Sequence, residues 1–249
     1  GGSKVGCIIG VVVALLLVIC LAVVAVFVVL PKLRDGGGAI VPGGQQGQPG
    51  ISFGSGGASL PKGASLFTDS LGSNTNGWRE GESSDPGASF YFQGNKYHVE
   101  IANAGWTSWS NPEANPLDLQ DFVLELNATP LGGPGEASYG VTFRHLDDEN
   151  FYHFEVDLDG QYRLQKNEAN EWVNITDWIP HSAIKKAGQV NKLAVVARGS
   201  TIELYANGTK LGTYQDSSFS HGNVGLVVAT YDNGGVHVTF DGLVISAVK

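Results

Sequence analysis

Glu155, Asp157 and Asp159 occupy alternate positions of the stretch EVDLD. On a β-strand, side chains two residues apart share a face, so the three carboxyls would stand in a row. Such a row is the raw material of glycoside hydrolysis, in which one carboxyl protonates the leaving oxygen and a second acts as nucleophile or base. The retaining reaction needs the two groups about 5–5.5 Å apart. Residues i and i+4 of a strand lie about 13 Å apart, so Glu155 and Asp159 are too distant unless the strand bulges. Asp159 is also followed by Gly160, and Asp-Gly signals a two-residue hairpin whose primed turn needs positive φ at both positions. The plainer reading is a solvated strand that ends in a hairpin, with no catalytic residue.

The same alternation offers a binding floor. Arg144, His153, Glu155, Arg163 and Gln165 fall on the polar side of three successive runs, and Trp106, Trp109, Trp172 and Trp178 supply aromatic faces for a wall. Fixed polar groups beside an aromatic platform suit a sugar or a peptide. Trp106, Trp109, Arg144, His153, Glu155, Arg163 and Gln165 are therefore the candidate ligand-binding residues. The competing reading is a wet sheet in which Arg144 and Glu155 form a cross-strand ion pair contributing a few tenths of a kcal/mol, with the tryptophans filling a core.

Asp147-Asp148-Glu149-Asn150 gathers oxygen donors in one loop, as calcium sites do, but without EF-hand spacing. Asp147 and Asp148 are the candidate calcium ligands, against a hairpin tip that is acidic for solubility, and no other cofactor is expected. The six histidines show no His-x-His or His-x-x-x-His spacing, so no zinc motif is present. No Gly-x-Ser-x-Gly elbow and no phosphate-cradling glycine loop precedes a helix. Asn127, Asn174 and Asn207 open glycosylation sequons, which matter only in a host that glycosylates.

The elements that must position these residues are short strands. Around the floor, Val141 and Phe143 alternate with Thr142 and Arg144; Tyr152, Phe154, Val156 and Leu158 with His153, Glu155 and Asp157; Tyr162 and Leu164 with Arg163 and Gln165. A period of two marks half-buried antiparallel strands. Similar runs occupy 89–93, 96–102, 119–128, 192–198, 201–206, 223–230 and 235–245, separated by turn dipeptides such as Gly94-Asn95, Gly199-Ser200 and Asn207-Gly208. Ten or more such strands, with at most a helical turn near His181–Ile184, predict an all-β antiparallel jelly-roll sandwich over residues 63–249.

The N-terminal part differs. Val5 to Leu30 is a run of 26 residues without charge, amide or proline; as a helix at about 1.5 Å per residue it exceeds a bilayer core of roughly 30 Å. Residues 1–34 are read as a segment carrying a transmembrane helix at about 5–30, and the lipid bilayer as its partner. The apolar run is longer than the core of a cleaved signal peptide, and the chain opens on Gly1, which we read as processing or truncation. Residues 35–62, ten of them glycine and three proline, are expected to form a flexible linker. Cys7 and Cys20 both lie in the apolar run, leaving the domain without a disulfide or a thiol nucleophile. Residues 63–249 carry 11 Lys and Arg against 23 Asp and Glu, a formal charge near −12, which excludes nucleic acid and anionic lipid surfaces as partners of the domain.

The order of landmarks resembles a known group. Leu66–Leu71 (LFTDSL), Asn76-Gly77-Trp78, Tyr97–Ile101, Tyr139–Arg144, Asn150–Phe154, Ile202–Gly208 (IELYANG), Gly222–Gly225 and Val238–Asp241 fall in sequence as in concanavalin A-like and laminin G-like jelly rolls, especially bacterial surface domains close to the 3-keto-disaccharide hydrolase (DUF1080) domains. The resemblance spans 64–249. It implies the jelly-roll fold and leaves activity open, since lectins, glycosidases and adhesive modules share it; laminarinase-type members carry a Glu-x-Asp-x-x-Glu or Glu-x-Asp-x-Glu strand, which Glu155, Asp157 and Asp159 match incompletely. The expected function is a membrane-anchored, extracytoplasmic, non-catalytic module that binds glycan or protein or serves as a structural surface module, located at the cell membrane as a single-pass protein with its C-terminal domain extracellular. Two alternatives remain: a pilin-like filament subunit or member of a membrane complex assembled through the N-terminal helix, hence a homo-oligomer or complex partner, and a glycoside-active enzyme.

Overall fold

The computed structural model describes residues 59–83 and 87–249. The helix expected at 5–30 and the linker, apart from its last four residues, lie outside the described residues. The described residues all belong to one compact unit.

In chain order the strands are β1 (Lys62–Asp69), β2 (Gly81–Glu82), β3 (Ala88–Gln93), β4 (Lys96–Ile101), β5 (Thr107–Ser110), β6 (Phe122–Gly132), β7 (Ser138–Asp147) and β8 (Asn150–Asp157). They continue as β9 (Gln161–Glu168), β10 (Glu171–Asn174), β11 (Ile179–Pro180), β12 (Asn191–Arg198), β13 (Thr201–Ala206), β14 (Thr209–Gln215), β15 (Asn223–Ala229) and β16 (Val236–Val248). Every pairing is antiparallel. The larger sheet has nine strands in the order β14-β13-β12-β6-β16-β4-β3-β2, with β1 also on β16; the smaller has seven, in the order β10-β9-β8-β7-β15-β5, with β11 also on β9. Among the described residues no helix is long and apolar enough to cross a membrane.

One continuous core lies between the sheets. Tyr139, Val141 and Phe143 of β7 meet Tyr152, Phe154 and Val156 of β8 in it, opposite Phe122, Leu124 and Leu126 of β6 and Leu193 and Val195 of β12. Each fully buried large side chain contributes roughly 1.5–3 kcal/mol of transfer free energy. In the long strand β16 a register shift falls between Asp241 and Val244, with Gly242 at φ 63. The extra residue resets the alternation, so Phe240 and Leu243 both face the core. The first half of β16 pairs with β4, and its second half pairs with β1, where Lys62 stands opposite Val248. Lys249 N also donates to Pro61 O at 2.9 Å.

The turns follow local chemistry with two departures. Gly94-Asn95 and Asn207-Gly208 hold positive φ at both positions and close two-residue hairpins, Gln93 pairing with Lys96 and Ala206 with Thr209. At the expected Asp159-Gly160 hairpin only Gly160 has positive φ, 99°, and three residues, 158–160, separate β8 from β9. The cause is Asp157, whose Oδ1 accepts from the backbone N–H groups of Asp159, Gly160 and Gln161. The second departure is β9 to β10, where Ala169 and Asn170 adopt φ 53 and 63 with no glycine to ease them. Near His181–Ile184 the chain makes a hydrogen-bonded turn, Ile184 N to His181 O at 3.1 Å.

Candidate functional site

The outward face of the smaller sheet carries the polar residues singled out in the sequence. Cross-strand register sets Gly140 opposite Glu155 and Glu155 opposite Arg163. The next row sets Thr142 opposite His153 and His153 opposite Gln165. Gly140 is required there: a Cβ would lie 2.0 Å from Phe154 O and 2.9 Å from Glu155 Cα, so the glycine lets β7 and β8 close over each other.

Glu155 is fully buried although it points away from the core. Its Oε1 accepts from Arg163 Nε at 2.8 Å and Nη2 at 2.6 Å. Its Oε2 accepts from Ser138 Oγ and, at 3.0 Å, from Tyr231 OH. Arg163 Nη2 also donates to Tyr231 OH at 2.7 Å, and its guanidinium carbon sits 4.4 Å from the Trp178 ring centroid. Burial works to raise the Glu155 carboxyl, but the charge of Arg163 and the hydrogen bonds from Ser138 and Arg163 outweigh it and hold it below the usual carboxylate range. His153 is itself pushed down by burial, so at neutral pH it is the uncharged imidazole and Arg163 is the ionic partner.

His153 Nε2 lies 3.5 Å from Glu155 Oε2, and neither ring nitrogen has a hydrogen-bond partner among the described residues; Thr142 Oγ1 beside it has none among them either. A buried polar group left unpaired costs about 1–3 kcal/mol. His153 borders a pocket of about 180 Å³ together with Thr107, Arg163, Gln165, Trp172 and Tyr231. Trp172, 44% exposed, stands with its ring 5.7 Å from that of His153. None of these six residues is a carboxylate, and Asp157, the next acid along β8, is spent on the turn it organises and on Gln161 Nε2.

The expected binding residues thus divide. His153, Glu155, Arg163 and Gln165 come together, Glu155 as the buried anchor of Arg163 rather than as an exposed ligand group. The cross-strand partner of Glu155 is Arg163, not Arg144. Arg144 is 1% exposed and at φ 47; it donates to Phe219 O at 3.0 Å and to Gln120 O at 2.9 and 3.2 Å, tying two loops together away from the floor. Trp106 packs against the core. Trp109 lies toward the β7–β8 tip, where its Nε1 donates to Asp148 Oδ1 at 3.2 Å and it borders a separate cavity of about 430 Å³ with His145, Asp147 and Asp148. Asp147 Oδ1 accepts from Glu149 N and Asn150 Nδ2, and among the described residues no three His, Cys, Asp or Glu side chains converge as a metal site. Sequence reasoning missed Ser138, Thr107 and Tyr231; Tyr231 follows β15 in a loop with no periodicity to mark it.

No protein-family model matches the chain, and no curated protein does. Solved structures do. The carbohydrate-binding module CBM66 from Bacillus subtilis aligns with a TM-score of 0.54 at 19% identity, over 64% of this chain and 92% of that one. A Bacillus subtilis protein of unknown function with a galectin-like fold gives 0.56 at 15% identity, over 76% and 98%. The Bacillus licheniformis β-glucanase gives 0.55 at 10% identity, over 74% and 98%. The chain shares their all-β, jelly-roll-like sandwich. At these identities the likeness is one of fold.

Proposed function

We propose that the domain is a non-catalytic glycan-binding module whose site is the pocket above Glu155. The observation that carries this reading is His153: a buried imidazole whose two nitrogens are unpaired among the described residues, on the wall of a small pocket edged by an exposed tryptophan. Sugar hydroxyls both donate and accept, so they can satisfy His153 and Gln165 while a sugar face stacks on Trp172. At about 180 Å³ the pocket is smaller than the roughly 300–1,000 Å³ clefts of drug-sized ligands, which suits a single sugar unit. The sandwich shared with a carbohydrate-binding module and a galectin-like protein supports the reading. A closer kinship with the 3-keto-disaccharide hydrolase-like domains rests on the sequence landmarks.

Screening the chain on a glycan array tests this. Specific hits weakened by Trp172→Ala and Gln165→Ala are expected; a full panel without a hit, or hits indifferent to both changes, would overturn it. Glycoside hydrolysis is the competing reading, because the sandwich is shared with a β-glucanase. It requires a carboxylate pair flanking the bond, and the residues bordering the pocket supply none. Turnover of β-glucans abolished by Glu155→Gln in a folded protein would establish hydrolysis instead.

We also propose that the chain is a single-pass membrane protein displaying this domain outside the cell. The support is the 26-residue apolar run at Val5–Leu30 followed by a glycine-rich tether. Assembly through that run is the second arrangement it admits, and crosslinking in detergent separates a monomer from a helix-packed oligomer.

A further inference from the structure

The larger sheet brings together two histidines that lie 139 residues apart. Tyr97, Val99 and Ile101 of β4 face the core, so His98 and Glu100 face outward, and register sets Glu100 opposite His237 and His98 opposite Thr239 on β16. His98 and His237 are therefore diagonal neighbours, with His98 Nδ1 2.9 Å from His237 Nε2. The tautomer of His98 is fixed by its other nitrogen, which lies 3.0 Å from Gln93 O: a carbonyl only accepts, so Nε2 carries the proton and Nδ1 the lone pair. The Tyr91 ring stacks on His98 at 4.7 Å and 18°, which fixes the plane of the imidazole. The Tyr91 hydroxyl donates to Glu100 Oε1 at 2.5 Å, and the same oxygen lies 3.5 Å from His237 Nε2.

We propose that His98 Nδ1 and His237 Nε2 form a two-histidine site for a divalent transition ion of the zinc, copper or nickel class. Imidazole nitrogen suits these ions, and a ligating histidine characteristically donates its second N–H to a carbonyl, as His98 does to Gln93. Since no three His, Cys, Asp or Glu side chains converge among the described residues, water completes the coordination and Glu100 acts through a coordinated water. Zinc–nitrogen bonds of about 2.0–2.1 Å in a tetrahedron set two nitrogens about 3.3 Å apart. From 2.9 Å, that needs a movement of roughly 0.4 Å, within reach of His237, whose side chain is 29% exposed. In the ion-free form His237 donates from Nε2 to His98. Uptake moves that proton to His237 Nδ1 through solvent, freeing the Nε2 lone pair with no net proton released. This face is on the other sheet from the pocket, so the site stands apart from the glycan reading.

Titrating the metal-free chain with Zn²⁺, and with Cu²⁺ followed by electron paramagnetic resonance, decides the matter. One ion per chain, a copper signal with nitrogen hyperfine structure from two imidazoles, and loss of both in His237→Gln are expected. Glu100→Gln should weaken uptake by about tenfold, as removal of an outer partner does. His98→Gln should also abolish uptake, but His98 is buried, so the exposed His237→Gln is the deciding variant, with circular dichroism confirming its fold. Absence of saturable uptake, or uptake unchanged in folded His237→Gln, overturns the proposal.

Discussion

Trp178 lies over the guanidinium of Arg163, Cζ to ring centroid 4.4 Å, on the side chain that holds the buried Glu155 by two N–H groups. The stack and the ion pair fix one planar group from two directions, so the floor of the pocket is set before any ligand arrives.

Arg163→Ala should destabilise the domain by about 3–5 kcal/mol, because it leaves a buried carboxylate without its cation. Urea unfolding at neutral pH measures the loss, and adding Glu155→Gln should return much of it. Arg163→Lys should recover little, since an ammonium lacks the planar fork and stacks less well.

Trp172→Ala should behave in the opposite way. The ring is 44% exposed, so the thermal midpoint should move by no more than a few degrees, while glycan binding weakens by about tenfold, or roughly 1.4 kcal/mol. Calorimetry on wild type and variant separates the two effects.

Stability should fall as pH drops below about 6.5, the ordinary histidine value. Burial lowers the folded-state pKa of His153, His145 and His98, so between that lowered value and about 6.5 the unfolded chain binds more protons. Glu155 adds a second loss at lower pH: its folded pKa is depressed, so its contribution is present above the unfolded carboxylate value near 4.3 and disappears as pH falls through the folded one. Unfolding free energies at pH 7, 6, 5 and 4 measure this, and His153→Gln should flatten the slope between pH 6.5 and 5.

Gly140→Ala should cost several kcal/mol or abolish folding, because the added methyl meets the backbone of β8 and backbone cannot rotate away as a side chain can. A variant that unfolds at the wild-type urea midpoint would show that β7 and β8 have room to separate.

The sandwich was legible in the sequence because its central strands are half-buried and announce themselves by alternation, as Tyr152, Phe154 and Val156 do. The short strands β2, β5, β10 and β11 have too few residues to establish a period. Arg144 misled because alternation assumes an unbroken strand. The register shift between Phe143 and Asp147 and the positive φ of Arg144 turn that side chain beneath two loops. Tyr231 and Ser138, which complete the Glu155 network, come from a loop and a strand start whose meeting depends on tertiary structure. The His98–His237 contact was hidden for the same reason: zinc spacing looks for ligands near in sequence, and these meet across β4 and β16.

The adjacency of Lys62 and Val248, and of Pro61 and Lys249, makes the domain a loop that is nearly closed on itself. A short splice joining residue 249 to residue 61, with a new opening at an exposed turn such as Lys186–Gly188, would give a circularly permuted domain with the same core. Tension applied between its present two ends would part β1 from β16 like a zipper, one hydrogen bond at a time, instead of loading the whole sheet in shear.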